Sequence, residues 1–218
     1  MAALGYIEGD EICIRAVIVC YGTYAEPEIC AAIEEEINGM WNTPLVVWEH
    51  AGRLYKVRFE IRAACRSVEE ARESLGSNTS PLYNYVRIEE KNSVERSMMG
   101  RGLGQNSGHW LRSDELGKST TAAHEFGHAL GLPHPHRLDY RGTGYPPIMA
   151  PRGTLVDAEY QWNPQARAGE FGGTMKPVHR RVSADEVREV LNRAVWNGSN
   201  FIIGEISNTF YSLTGHEE

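Results

Sequence analysis

Aspartate is scarce in this 218-residue chain: only five of its 29 acidic residues are Asp, at positions 10, 114, 139, 157 and 185. Their scatter supplies no Asp-rich loop, so no structural calcium is expected. Long apolar runs are lacking too. Even the stretch 12–20 is interrupted by Arg15, well short of the roughly 18 uncharged residues of a membrane helix, so the chain is not expected to span or contact a membrane. Positive charge is outnumbered, 22 Lys and Arg giving a net charge of −7, and no basic cluster compensates locally. That balance argues against a nucleic-acid partner. The four cysteines, Cys13, Cys20, Cys30 and Cys65, form no CxxC pair. Neither a thiol redox motif nor a cysteine zinc cluster is expected, and all four read as buried thiols. Cys13 and Cys20, an odd seven residues apart in one strand, would face opposite sides of a sheet. Glu8, Asp10 and Glu11 stand where a signal peptide would carry basic residues and then an apolar run. The expected location is the cytoplasm by default, or outside the cell if a leader was removed or another export route is used.

What remains is a composition of globular type, with 41% hydrophobic residues. Residues 12–20 are apolar and β-branched on both faces, as in a buried strand. Pro27 opens a helix to about residue 39, with Ile29, Ala32, Ile33, Glu36 and Ile37 on one stripe. Residues 45–50 and 54–63 read as a hairpin around Ala51-Gly52-Arg53, with Tyr55, Val57, Phe59 and Ile61 inward. Ser67 with Glu70, and Ser183 with Glu186, are capping boxes that open two further helices. Residues 83–89 form a strand, and two weaker extended pieces follow at 96–101 and 108–112. A helix begins at Ser119 and stops at Gly131; residues 133–177 lack periodicity, and 201–206 is an apolar tail. The expectation is one α+β domain over 1–218: a sheet-and-helix part, 1–131, and a loop-rich part, 132–218, ending in a helix.

The segment that carries chemistry is 120–135, TTAAHEFGHALGLPHP. On a helix, His124 and His128 stand one turn apart on one face, within reach of one zinc ion. Glu125 is placed to bind a zinc-coordinated water, and Gly131 ends the helix so that His134 supplies a third nitrogen. Three neutral imidazoles leave an open fourth position, as in a catalytic zinc site. The five fixed positions of HExxHxxGxxH would assemble by chance in about one shuffle in ten thousand of this composition, so accident is no competitor. The other histidines, His50, His109, His136, His179 and His216, read as structural or solvated.

HEFGHALGLPH resembles the active-site signature of the metzincin zinc endopeptidases, and its intervening residues are most like those of the matrix metalloproteinases. Pro135, after the third His, is serralysin-like. The Met-turn that the resemblance implies is found in residues 145–151, YPPIMAP, with Met149 fifteen residues after His134. Pro151 stands where other branches carry a zinc-binding Tyr, so no Tyr ligand is expected. The resemblance implies a zincin-like fold, a twisted mixed β-sheet with two helices beside the loop-rich part. It also implies a peptide lying antiparallel to an edge strand near 96–102. The loop 152–181, with Tyr160, Trp162 and Phe171, should wall the pocket for the side chain just after the cut bond.

The implied activity is hydrolysis of peptide bonds in protein or peptide substrates, through a zinc-bound water with Glu125 as general base. Two alternatives stand beside it: a catalytically quiet zinc-binding recognition module, and a target-specific toxin or regulatory protease of the same class.

Overall fold

The computed structural model describes residues 2–217. They form a mixed sheet of nine strands and four helices, an α+β architecture. Strand β2 (Glu11–Tyr21) is its axis, because its apolar residues on both faces can be buried only in the middle of layers. Strand β4 (Arg53–Cys65) runs parallel to β2 along one edge, from Glu11 opposite Lys56 to Cys20 opposite Cys65. The other edge of β2 is shared. Its first half pairs with the antiparallel β1 (Ala3–Glu8), and its second half, from Val17, pairs with the parallel β5 (Tyr83–Glu89).

The sheet therefore forks. One branch continues from β5 to β7 (Ser107–Leu111) and ends at the antiparallel edge strand β6 (Met98–Met99). The other continues from β1 to β9 (Asn200–Ile203) and ends at β8 (Val195–Asn197). Strand β3 (Val47–His50) forms the expected hairpin with β4. Tyr55, Phe59 and Ile61 are buried, as the alternation predicts, with Val57 partly so.

Residue parity along β2 separates two packed faces. Ile12, Ile14, Ala16, Ile18 and Cys20 meet helices α1 (Pro27–Trp41) and α3 (Thr121–Ala129) in the main core. Val19 and Tyr21 instead meet α2 (Val68–Gly76) and Phe210 of the C-terminal segment, which stacks on Tyr21 at 5.2 Å. Both capping boxes are formed, at α2 and at α4 (Ala184–Asn192), each with reciprocal bonds between its Ser and its Glu.

Two expectations change, and one strand, β1, is not expected from the sequence. Cys30 and Cys65 are not free thiols but a disulfide joining α1 to the end of β4; Cys13 and Cys20 remain free and buried. The pairing arises only because α1 lies over β4, 35 residues further along the chain. Strand β1 has no strong alternation to announce it, since Gly5 leaves a gap that the ring of its paired residue Phe201 covers; a Cβ at Gly5 would collide with that ring. The chain also does not end in a helix. After α4, β8 and β9 rejoin the sheet begun by the first residues, so residues 195–203 belong structurally with residues 3–8. Among the described residues, no helix is long and apolar enough to cross a membrane.

Candidate metal centre

Helix α3 lies almost wholly buried against α1. Trp41 Nε1 donates to Ala123 O at 3.1 Å, and Trp41 meets Phe126 edge to face at 6.0 Å. Glu36 of α1 accepts from Ala123 N at 2.8 Å, placing a carboxylate at the amino end of α3, where backbone N–H groups lack helical partners. The helix ends where Gly131 takes φ +91°, a left-handed conformation that costs glycine little. Gly131 N donates to His128 O and Leu132 N to Gly127 O, each at 3.0 Å, and these bonds turn the chain so that His134 comes back over the helix.

Two ring orientations are set by backbone carbonyls. His124 Nδ1 lies 2.7 Å from Ile148 O, and His128 Nδ1 lies 2.9 Å from Leu132 O. A carbonyl only accepts, so each Nδ1 carries its ring's proton and each Nε2 presents a lone pair. The three Nε2 atoms converge: that of His134 is 3.1 Å from that of His128 and 3.2 Å from that of His124. At most one proton lies among them, on His134, so at least one of these close contacts sets lone pair against lone pair, a repulsion that a cation between the rings would relieve. The cluster could hold a metal ion. Burial is the largest cause lowering all three histidine pKa values, with the positive charge of Arg180 acting in the same sense: His124 falls well below its usual range, His128 to about 4, and His134 is lowered too. All three are therefore neutral near pH 7, the form that ligates metals.

Glu125 shares this cleft of about 480 Å³ with the three histidines and the segment 96–103, which contains edge strand β6. Only 6% of Glu125 is exposed, and burial pushes its carboxyl up to about 7, with Asp114 adding to the rise and Arg180 opposing it. A divalent ion beside it would draw that value back down.

Behind the histidines, the turn at Met149 is buried and packs on Gly127, where a Cβ would strike Met149 Sδ and approach Trp41. Met149 N is held by Glu186 Oε1 at 2.9 Å, while Glu186 Oε2 accepts from Ser183 N at 2.8 Å. One carboxylate thus both caps α4 and fixes the turn whose Ile148 carbonyl orients His124. Met149 lies away from the cleft surface.

The structure brings together His124, Glu125, His128 and His134, with Gly131 and Met149 as their supports. It does not bring the large residues of 152–181 to the cleft. Tyr160 packs on Tyr145 and His179, Trp162 lies against Lys176, and Phe171 is fully exposed. The surrounding residues form a lobe on a small core of Ala150, Val156 and Met175, against which Tyr160 packs. The residues from 152–181 that do line the cleft are Arg152 and Arg180.

Among the other histidines, His109 is buried and bridges Asn92 and Leu213 O, His50 stacks on Trp196 at 3.9 Å, and His136 is exposed; none of the five joins the cluster. Arg180, Asp114, Glu36 and the second role of Glu186 escape sequence reasoning, since no local spacing ties them to the motif. A hint was the apolar stripe of α1, in which Glu36 is the one charged residue.

No protein-family model matches this chain, and no curated protein matches it.

Proposed function

We propose that the protein is a zinc-dependent endopeptidase, resembling the metzincins, that hydrolyses peptide bonds of protein or peptide substrates. The observation that carries this reading is the convergence of three Nε2 atoms beside the Glu125 carboxylate in one open cleft.

His124, His128 and His134 would hold the ion. Nitrogens about 2.0–2.1 Å from a tetrahedral zinc stand roughly 3.3 Å apart, close to the separations found here. When bound, zinc supplies Lewis acidity that makes water nucleophilic near neutral pH and polarises a carbonyl. Glu125 takes the proton from the attacking water and returns it to the leaving amine, a task suited to a carboxyl whose ionisation is poised by burial against charge. Ile148 and Leu132 carbonyls keep the rings in the ligating tautomer. Strand β6, at the open edge of the sheet and on the cleft wall, offers backbone groups to an extended peptide running antiparallel to it.

The test couples elemental analysis to cleavage of unstructured proteins by wild type and Glu125→Ala. Zinc in both proteins, with cleavage lost only in the variant, is the expected result. Zinc without cleavage by wild type would favour a quiet recognition module, and equal cleavage by both would move the chemistry elsewhere.

A further inference from the structure

The chain has a net charge of −7, yet its cleft is lined by four arginines and only two carboxylates. Two of the arginines are occupied. Arg152 pairs with Asp114, whose other oxygen accepts from Ser97 N at 3.0 Å and Ser97 Oγ at 2.7 Å, so that carboxylate is saturated. Arg101 pairs with Glu217 at 2.9 Å. The remaining carboxylate, Glu125, is the proton carrier.

Arg96 and Arg180 have no ion-pair partner among the described residues. Arg96 is exposed at the rim. Arg180 is only 3% exposed, at the inner wall. Its guanidinium donates through Nε to Thr120 Oγ1 at 3.0 Å and through Nη1 to Ala150 O at 3.4 Å, and no acceptor among the described residues takes a proton of Nη2. The carboxylates of Glu125 and Glu36 stabilise its charge from a distance, but neither forms an ion pair or hydrogen bond with it, and a buried arginine without a contacting carboxylate is costly. A purely structural clamp between Thr120 and Ala150 would not need to line the cleft, as Arg180 does.

We propose that this cleft selects substrates by a carboxylate, received by Arg180 at the inner wall and drawn in by Arg96 at the rim. The planar fork of Arg180 matches a carboxylate in shape, and a partly closed cleft strengthens the attraction. That carboxylate could be an Asp or Glu side chain within the peptide or the free end of the chain. The inference names the substrate class of the peptidase reading and rests on it.

The experiment presents metal-loaded Glu125→Ala protein with a mixed peptide pool, prepared once with amidated and once with free C-termini, and identifies the retained peptides by mass spectrometry. Expected is about tenfold enrichment of carboxylate-bearing peptides, the size of one charge-assisted hydrogen-bonded contact. Enrichment of Asp and Glu in the amidated pool assigns the side chain; enrichment confined to the free-acid pool assigns the terminus. Arg180→Gln, made in the same background, should bring the preference near one. Should that variant fail to fold, Arg96→Gln must still lower the preference, by about threefold, and raised salt must weaken it in the parent protein. Equal retention of acidic and neutral amidated peptides, with no dependence on a free C-terminus, overturns the proposal. Wild-type protein acting on the same pools tests the peptidase reading separately: enrichment without any cleavage defeats that reading and leaves the carboxylate site standing.

Discussion

The sheet with its helices and the lobe 133–181 are held by different means. In the first, β2, β4 and β5 share continuous ladders, and apolar residues from α1 and α3 fill one core against them. In the second there is no named strand. Single backbone bonds cross between distant turns, such as Tyr140 N to Leu155 O at 2.8 Å and Met175 N to Thr154 O at 3.0 Å, around a buried core of three residues. The lobe nevertheless supplies the carbonyl that orients His124, the third histidine of the cluster, His134, and the buried Arg180. Apolar area supports the scaffold, while individually placed polar groups shape the site. Damage to the scaffold should therefore register as lost stability, and damage to the lobe mainly as altered chemistry.

The largest expected effect bears on the junction of the two regions. His128→Ala leaves two nitrogens of the cluster, so metal content measured after dialysis should fall from one ion per chain to near none, while circular dichroism keeps the wild-type form. Metal retained at the wild-type level would show that the ion sits elsewhere.

Two phenylalanines compare the regions directly. Phe126→Ala in the core should cost about 3–5 kcal/mol in urea unfolding, because Phe126 is fully buried. Phe171→Ala in the lobe, fully exposed, should change stability by no more than about 0.5 kcal/mol. Similar costs at both sites would erase the distinction.

The disulfide belongs to the scaffold, tying α1 to β4 across a loop of 35 residues. Its reduction should lower stability by about 2–4 kcal/mol, read from unfolding with and without a thiol reductant. It should leave metal content unchanged, since neither cysteine touches the site. Loss of the ion on reduction would couple the regions more tightly than the structure suggests.

In the metal-free protein, acid should act through the site itself. Folding lowers His128 from 6.5 to about 4, so the unfolded chain binds more protons between those values and stability falls as pH drops through that window. Folding raises Glu125 from 4.5 to about 7, so its contribution is present below 4.5 and lost as pH rises toward 7, opposite in sign. Removing the second slope with Glu125→Gln should make stability climb more steeply between about pH 4.5 and 6.5. Chemical denaturation of both chelator-treated proteins across that range measures the difference, and parallel curves would count against opposed titrations.

The smallest effect is expected at Met149→Leu. This nearly volume-conserving change beneath the helix should cost under about 1.5 kcal/mol and leave metal content as it was. A larger cost would mean that the contact with Gly127 demands the unbranched thioether.

The local elements were legible wherever a periodicity or a cap encodes them: β2, the hairpin of β3 and β4, α1, both capping boxes and the stop at Gly131 all lie where the residues place them. So were the three metal-competent histidines and Glu125, because helix geometry converts a spacing of four, and a glycine three residues later, directly into proximity. β1 went unread because Gly5 interrupts its pattern and its partner Phe201 comes from the far end of the chain. The pairing of Cys30 with Cys65, the closing of the sheet by β8 and β9, the support of Met149 by Glu186 and the burial of Arg180 beside Glu125 follow from no local rule. Each depends on which distant segments the packed core brings together. Sequence determines what recurs at short range; only tertiary structure decides which distant charges and thiols share one place, because that is settled by the packing of whole elements.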